Sequence, residues 1–275
     1  MKWTAIRVSA ASGEGRNDIV AALIGAGASA VQEEGDTLVS TLPEGSDLAA
    51  VRRAIDRVGE ATLACDDLGE VDWDRAWTTQ VGIQRVGALV ISPPWLVDET
   101  TDAGSTVIID PAMAFGTGEH PTTRGMLRLM QNVIQPGDAV ADLGAGSAVL
   151  SIAAIKLGAT RAFAIELDPD AIGNAEANVT RNGVAGSVAV LEGDAAVLLP
   201  LVAPVRVILA NIISSAVLLL LPAMRAALSP GGHAILSGML AVERASILDL
   251  LAGSGWAAES EDTEEEWWSA SIAPR

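Results

Sequence analysis

Hydrophobic and polar positions follow a mixed pattern over residues 1–68, where runs with a two-residue period flank two stretches with helical spacing. The strand-like runs are WTAIRVSA, SAVQEE, TLVSTL and ATLACDD. The helical stretches are EGRNDIVAALIGAG and SDLAAVRRAIDRVG, the second capped by Ser46. The resulting order β-α-β-β-α-β predicts a small α+β domain of the ferredoxin-like type. Many unrelated proteins share that fold, so it does not define a function.

From Pro121 onward, strand-like and helical stretches alternate regularly. AVADL, RAFAIE, SVAVLEGD, VRVILAN and HAILSGM have the length and apolar character of buried strands, and the final stretches GWAAES and EWWSASIA predict a closing hairpin. Such alternation predicts an α/β domain with a mainly parallel seven-stranded sheet covered on both faces. We assign residues 101–275 to this domain and residues 69–100 to a linker.

Composition narrows the function classes. The chain has 275 residues, half of them hydrophobic, which is enough to bury a core in each of two domains. A formal net charge of −18 argues against a broad nucleic-acid surface and favours a basic partner or a cationic small molecule. Cys65 is the only cysteine, so neither an intramolecular disulfide nor a thiolate zinc site is possible, and no metal is expected.

The expected location follows from the apolar segments. The start, MKWTAIRVSA, lacks the apolar core of a signal peptide, and VLLLLPAM is too short to span a bilayer. We therefore expect a cytoplasmic protein that does not insert into membranes, and we expect it to be a monomer.

Glycines and polar side chains mark the carboxyl ends of four successive predicted strands. Gly144 and Gly146 follow the first strand, and Glu166, Asp194 and Asn211 lie at the ends of the next three. Because ligands of parallel α/β sheets bind outside the carboxyl ends of the strands, we expect these residues to meet at one rim.

The turn in DLGAGSAVL lies between two fingerprints. A dinucleotide-binding turn would have a glycine at position 149, where this chain has Val149. The turn of S-adenosylmethionine-dependent methyltransferases prefers an acid at the position of Asp142 and a glycine at 148, where this chain has Ala148. Asp142 would repel a pyrophosphate but suits the positive charges of S-adenosyl-L-methionine, which has no phosphate. The alternative is that Asp142 only satisfies backbone amides of a tight turn.

Three rim residues are candidates for specific contacts. Glu166 can accept hydrogen bonds from both hydroxyls of a ribose, and Asp194 can accept one from an adenine amino group. Asn211 can accept a hydrogen bond from a target amine and so orient its nitrogen. The structural alternatives are a solvated strand end or helix cap for Glu166, a plain loop acid for Asp194 and a helix cap for Asn211.

The stretch FGTGEHPTT contains two glycines around Thr117 and predicts a mobile loop that folds over the site. His120 within it is a candidate general base or hydrogen-bond donor, with a simple loop anchor as the alternative. Six acids between Glu259 and Glu266 predict a solvated hairpin, or alternatively a docking surface for a basic partner.

Several motifs together resemble the ribosomal protein L11 methyltransferase family (PrmA). They are DWDRAW, ISPPW, DPAMAFGTGEHPTT, DLGAGSAVLSIAAIKLGA, IELDPDAIGNAEANVTRNG, LANI and PGGHAILSGM, and the FGTGEHPTT stretch is the most specific. The resemblance implies a class I, Rossmann-like methyltransferase domain that uses S-adenosyl-L-methionine. It also implies that an N-terminal domain binds the substrate, and that lysine side-chain and N-terminal amines of a large-subunit ribosomal protein receive the methyl groups.

The resemblance implies a cofactor site at Gly144, Gly146, Glu166 and Asn211, with Thr117 in the covering loop. Methyl transfer by direct displacement depends on alignment, so we expect no metal and no indispensable acid–base residue, with Asn211 more important than His120. Three alternatives stay open. They are an NAD-linked oxidoreductase, a non-catalytic module that binds a ribosomal protein, and a methyltransferase for another protein or a small amine.

Overall fold

The computed structural model describes residues 2–9, 15–28, 31–34, 37–43, 45–58, 62–70, 81–98, 100–111 and 116–275. The DWDRAW motif and the AMAF part of DPAMAFGTGEHPTT lie outside the described residues. The chain forms two compact units, Met1–Gln80 and Val81–Arg275. No helix in the described ranges is long and apolar enough to cross a membrane.

The first unit has the element order that the sequence predicted. It contains β1 (Lys2–Ser9), α1 (Gly15–Gly25), β2 (Val31–Glu34), β3 (Thr37–Pro43), α2 (Leu48–Val58) and β4 (Thr62–Glu70). The strands form an antiparallel sheet in the order β2-β3-β1-β4. Aliphatic side chains from the sheet and both helices form its core, among them Ile6, Leu38, Leu23 and Val51.

The second unit begins before the predicted boundary. A small sheet in the order β5-β6-β7 consists of β5 (Gln84–Val86), β6 (Leu89–Ser92) and β7 (Thr106–Ile108). Its first two strands lie within residues 69–100, which we had assigned to a linker. Parallel pairing of β6 with β7 places residues 81–100 in the second unit instead. The partner strand lies beyond residue 100, so the local pattern alone could not show this pairing.

The predicted seven-stranded, mainly parallel sheet is confirmed. It contains β8 (Ala139–Leu143), β9 (Arg161–Glu166), β10 (Val188–Glu192), β11 (Val205–Asn211), β12 (Leu228–Leu240), β13 (Trp256–Glu264) and β14 (Trp267–Pro274). The order is β10-β9-β8-β11-β12-β14-β13. Strands β8 to β12 are parallel, and the hairpin β13–β14 joins through antiparallel pairing of β14 with β12.

Helices cover both faces of this sheet. They are α3 (Pro121–Val133), α4 (Val149–Lys156), α5 (Pro169–Arg181), α6 (Ala195–Val202), α7 (Ser214–Ala227) and α8 (Arg244–Gly253). Side chains of α3, α4 and α5 share one buried cluster and those of α6, α7 and α8 share another. Val140 belongs to the first cluster and Ala141 to the second, as alternation along a strand requires. Burial on both faces explains why these strands are apolar throughout.

The strand order reverses beside β8, because β9 and β10 lie on one side of it and β11 and β12 on the other. In open α/β sheets, the crevice at such a reversal, outside the carboxyl ends of the strands, is where ligands bind. A ligand is therefore expected among the loops that follow β8, β9, β10 and β11.

Candidate active site

A cleft of about 460 Å³ opens at the carboxyl ends of these strands. Gly144, Glu166 and Asp194 line it, so three predicted site residues from three strand ends meet in one place. The rest of the lining is mostly apolar and includes Ile165, Leu167, Ile212, Ile213, Ala216 and Leu220. An apolar cleft with a few convergent polar groups is typical of a small-molecule site.

The glycine turn has a backbone that requires glycine. Gly144 and Gly146 have φ values of 73° and 53°, in the left-handed region. The amides of Gly144 and Ala145 donate to the carbonyl of Ile165 at 2.9 and 3.1 Å, which joins the turn to the end of β9. A Cβ on Gly144 would lie 2.5 Å from the side chain of Ile212. The missing side chain therefore lets Ile212, in the loop after β11, pack directly against the turn after β8.

Ala148 occupies the position where methyltransferase turns prefer glycine, and it has the left-handed φ of 64°. This conformation costs a non-glycine residue about 1 kcal/mol or more. The methyl group is fully buried and does not line the cleft. The substitution therefore changes the conformational energy of the turn rather than a direct contact with a ligand.

Glu166 uses both carboxylate oxygens on backbone amides. Oε2 accepts from the amide of Gly146 at 2.8 Å, and Oε1 accepts from the amides of Leu167 and Asp168 at 2.8 and 2.9 Å. The side chain remains partly exposed and lines the cleft. Oε2 keeps a second lone pair, whereas both lone pairs of Oε1 are engaged by the two amides. Its contact with a ribose stays a prediction, and the structure adds a second role, which is to tie the glycine turn to β9.

Asp142 lies inside the protein and has no exposed surface. Its Oδ2 accepts from the amide and the hydroxyl of Ser151 at 3.0 and 2.8 Å, and its Oδ1 has no hydrogen-bond partner in the described part of the chain. Burial raises the pKa of Asp142 to about 7, although the hydrogen bonds from Ser151 act in the opposite direction. The carboxyl group holds the start of α4, as the alternative interpretation of Asp142 proposed, while a ligand contact stays a prediction.

Asp194 is both a helix cap and part of the cleft. Its Oδ1 accepts from the amide of Ala196 at 2.8 Å and caps α6. Asp194 is therefore more than the plain loop acid of our alternative interpretation, because it caps a helix. Its carboxylate still has lone pairs that a ligand could use. Its contact with an adenine amino group stays a prediction.

Asn211 is partly exposed at the end of β11 and does not line the cleft, although its neighbours Ile212 and Ile213 do. Its Nδ2 donates to Thr123 Oγ1 at 3.5 Å. Its Oδ1 accepts no hydrogen bond from the described residues. The N-cap of α7 is Ile213, so Asn211 is not the helix cap of our alternative interpretation. Asn211 therefore lies between the cleft and the start of α3 with an acceptor available.

The loop before α3 lies against the glycine turn. The hydroxyl of Ser147 donates to the carbonyl of Gly116 at 2.8 Å, and the amide of Gly82 donates to Glu119 Oε1 at 3.2 Å. A Cβ on Gly118 would lie 2.7 Å from the side chain of Ile91. Packing and hydrogen bonds therefore hold residues 116–120 against the glycine turn and β6, and the mobility expected from the glycines stays a prediction. Thr117 Oγ1 accepts from the amide of Glu119 within the same loop, at 3.4 Å.

His120 is the N-cap of α3. Its Nδ1 accepts from the amide of Thr122 at 3.3 Å and lies 2.8 Å from the Thr122 hydroxyl. The ring packs edge-on against Trp267, with 4.9 Å between centroids. Burial, together with the nearby charge of Arg124, lowers the pKa of His120. This geometry fits the loop-anchor alternative, and a catalytic role of His120 stays a prediction.

The acidic hairpin is not a simple solvated run. Arg128 on α3 pairs with Asp262 and Glu264, and Arg244 on α8 pairs with Glu261. Arg124 donates to the carbonyl of Glu119 and to Glu264. The hairpin acids therefore hold α3, and with it the loop that precedes α3.

The sequence did not reveal the apolar wall of the cleft. Ile165, Leu167 and Ile212 flank the predicted polar residues, but in a sequence they cannot be distinguished from core residues at strand ends. Their place in the sequence could have indicated them, because each is adjacent to a residue predicted to lie at the rim.

The sheet order, the glycine turn after β8 and the carboxylate at the end of β9 define a class I, Rossmann-like methyltransferase. The family model described as "Ribosomal protein L11 methyltransferase (PrmA)" matches residues 29–274, and the chain belongs to this family.

Similar proteins carry the same name. The chain is 35% identical over 257 residues to a ribosomal protein L11 methyltransferase of Exiguobacterium sibiricum, covering 88% of this chain and 80% of that protein. It is 38% identical over 202 residues to the one from Thermus thermophilus, covering 74% and 77%. A crystal structure of ribosomal protein L11 methylase from Lactobacillus delbrueckii subsp. bulgaricus has a TM-score of 0.61 and 26% identity, covering 70% of this chain and 99% of that one.

Proposed function

We propose that this protein transfers methyl groups from S-adenosyl-L-methionine to amino groups of ribosomal protein L11. The observation that carries the proposal is the cleft in which Glu166 and Asp194 face a mostly apolar lining beside the glycine turn. The cofactor supplies an electrophilic methyl group on a sulfonium. Membership of the methyltransferase family supports this cofactor over a dinucleotide.

The chemistry of the lining fits a nucleoside. Oε2 of Glu166 has a lone pair to accept from a ribose hydroxyl, and Asp194 can accept from an amino group on the base. Ile165 and Leu167 offer apolar surface for a flat ring, and Ile212, which packs directly against Gly144, adds to that surface. These groups suit a ligand without phosphate, because two carboxylates in one cleft repel an anion.

The acceptor must be a neutral amine at the moment of transfer. An exposed lysine has a pKa of about 10.4, so loss of its proton requires a less polar environment or nearby positive charge. Asn211 Oδ1 is available to accept from the amine and to orient its lone pair, which favours alignment for displacement. Nδ1 of His120 is engaged with Thr122 in the helix cap, and we assign His120 no role as a base, because displacement depends on alignment.

The substrate assignment rests on the family and on charge. Relatives that match most of this chain are named for ribosomal protein L11. A net charge of −18 favours association with a basic partner. We further propose that residues 1–68 recognise this partner, that lysine side-chain and N-terminal amines are methylated, and that the protein acts as a cytoplasmic monomer.

The test is mass spectrometry of a mixture of purified large-subunit proteins, L11 among them, after incubation with this protein and S-adenosyl-L-methionine. We expect mass gains in multiples of one methylene on L11 and none on other large-subunit proteins in the same mixture. Calorimetry with S-adenosyl-L-methionine and with NADH provides the second measurement. Cofactor binding without any methylated L11 would favour another acceptor, such as a small amine. Absence of cofactor binding would favour a non-catalytic module.

A further inference from the structure

Residues 110–116 connect β7 to the loop before α3, and hydrogen bonds fix both described ends of this segment near one residue of the glycine turn. That residue is Ser147, which is fully buried. Its hydroxyl donates to the carbonyl of Gly116 at 2.8 Å, and its own carbonyl accepts from Nδ2 of Asn178 at 3.2 Å. Ser147 therefore contacts the loop through its side chain and α5 through its backbone.

Asn178 completes the connection at the other end. It is fully buried on α5, and its Oδ1 accepts from the amide of Asp110 at 2.9 Å. Its Nδ2 also lies 3.4 Å from the carbonyl of Asp110. Arg181 donates to the Oδ1 of Asn178 at 2.7 Å and pairs with the carboxylate of Asp110 at 3.2 Å. One buried amide thus joins the start of the segment to the backbone of the turn.

The contact at Gly116 leaves no space for a side chain. A Cβ on Gly116 would lie 2.8 Å from Ser147 Oγ and 3.2 Å from the side chain of Val149. Gly116 also has a φ of 104°, which other residues rarely adopt. The hydroxyl of Ser147 and the absent side chain of Gly116 are therefore fitted to each other, and a change in either alters how the loop packs on the turn.

We propose that Ser147 and Asn178 are positioning residues that fix the loop at residues 116–120 on the cofactor turn during methyl transfer. The proposal rests on the proposed function, because it takes the cleft beside this turn as the methyl-donor site. Neither residue lines the cleft, so they act on the reaction through the loop. The loop in turn carries Thr117 and leads to His120, which begins α3.

The first experiment compares Ser147→Ala with Ser271→Ala. Ser271 is a matched control, because it is also buried and its hydroxyl has no hydrogen-bond partner among the described residues. Hydrogen exchange is followed by mass spectrometry for a peptide that covers residues 110–120. Because the buried carbonyl of Gly116 loses its donor, Ser147→Ala should raise exchange in this peptide by about tenfold, and Ser271→Ala should leave it unchanged.

Steady-state kinetics distinguish a positioning role of Ser147 from a purely structural one, because a purely structural role would leave kcat unchanged. For Ser147→Ala we expect kcat to fall by about tenfold, while the Kd for S-adenosyl-L-methionine changes by less than about threefold, because the cleft itself is intact. A lower melting temperature with normal kcat and normal loop exchange would overturn the proposal. If the wild-type protein methylates nothing, the proposed function fails, while the exchange experiment still tests whether Ser147 fixes the loop.

Gly116→Ala tests the same contact from the other side. Alone, it should also raise loop exchange, because its methyl group meets the Ser147 hydroxyl. In the double variant Ser147→Ala/Gly116→Ala this clash is relieved, so the combined effect on exchange should be smaller than the product of the two single effects. Independent effects that multiply would show that the two residues act separately and would contradict the proposal.

Discussion

The carboxylate of Glu166 accepts a hydrogen bond from the amide of Gly146 at 2.8 Å, so the end of β9 holds the glycine turn that follows β8. The other oxygen of the same carboxylate accepts from two amides of its own strand end. One side chain therefore shapes the cleft and also offers it the remaining lone pair of Oε2.

We expect Glu166→Gln to weaken binding of S-adenosyl-L-methionine by about tenfold or more, because hydrogen bonds to a charged group are worth about 1.5–3 kcal/mol. The amide nitrogen of a glutamine cannot accept from Gly146 or from Leu167. Calorimetry measures the affinity. Glu176→Gln, an exposed change on α5, is the control and should bind the cofactor like the wild type. Equal affinities of the two variants would contradict a role for Glu166.

Substitution of Asn211 should mainly lower catalysis, whereas substitution of His120 should mainly lower stability. We expect Asn211→Ala to lower kcat by about a hundredfold through loss of alignment. Asn211→Asp, which retains an accepting oxygen, should lose less.

His120→Ala removes a helix cap and should lower the free energy of unfolding by about 1 kcal/mol with kcat nearly unchanged. Steady-state kinetics and urea unfolding measure the two effects. If His120→Ala abolished turnover while cofactor binding stayed intact, the mechanism proposed above would be wrong.

Asp142 should make stability depend on pH. Burial raises its pKa to about 7 in the folded protein, from an ordinary value of about 3.8. Between these two values the unfolded chain is ionised while the folded protein keeps the proton. Unfolding therefore releases a proton, and the contribution of Asp142 to stability falls as pH rises from about 4 to about 7, by up to about 1.4 kcal/mol per pH unit.

Asp142→Asn removes this contribution. Urea unfolding at several pH values measures the free energy of unfolding of both proteins. As pH rises across this range, the wild type should lose stability relative to the variant. A difference that is constant with pH would show that Asp142 does not hold a proton in the folded state. The comparison reports on residue 142 together with its coupling to Glu166, whose negative charge also raises the pKa of Asp142.

Ala148 should tolerate glycine but not a branched residue. Ala148→Gly relieves a left-handed backbone strain of about 1 kcal/mol and loses a buried methyl group worth about 0.8 kcal/mol, so the net change in stability should be small. Ala148→Val adds two buried carbons and a β-branched side chain in the left-handed region, so it should destabilise by about 2 kcal/mol or more. Thermal unfolding measures both, and equal melting temperatures for the two variants would contradict this account.

The rim of the site could be predicted because chain direction alone brings the carboxyl ends of parallel strands together. Glu166 and Asp194 were expected at one rim for this reason, and both line the same cleft, while their contacts with a ligand stay predictions. The burial of Asp142 was also implicit in the sequence, since alternation along β8 places it on the same face as Val140, beneath α4. That alternation had not been applied to the end of the strand.

Other features depend on contacts between distant parts of the chain. The linker assignment was wrong for residues 81–100 because β6 pairs with a strand beyond it. The partners of Asp262 and Glu264 are arginines of α3, more than a hundred residues earlier, and no local pattern indicates such pairs. The contact of the loop at Gly116 with Ser147 likewise joins parts of the chain that are 31 residues apart, so no local pattern indicates it.

The reversal of strand order beside β8 also determines when, during synthesis of the chain, the cleft can form. The cleft needs the loops after β8, β9, β10 and β11, and β11 reaches its place beside β8 only after β9 and β10 have been made. A nascent chain that ends before β11 therefore has no complete cleft, and ligand can stabilise only chains that have passed this point.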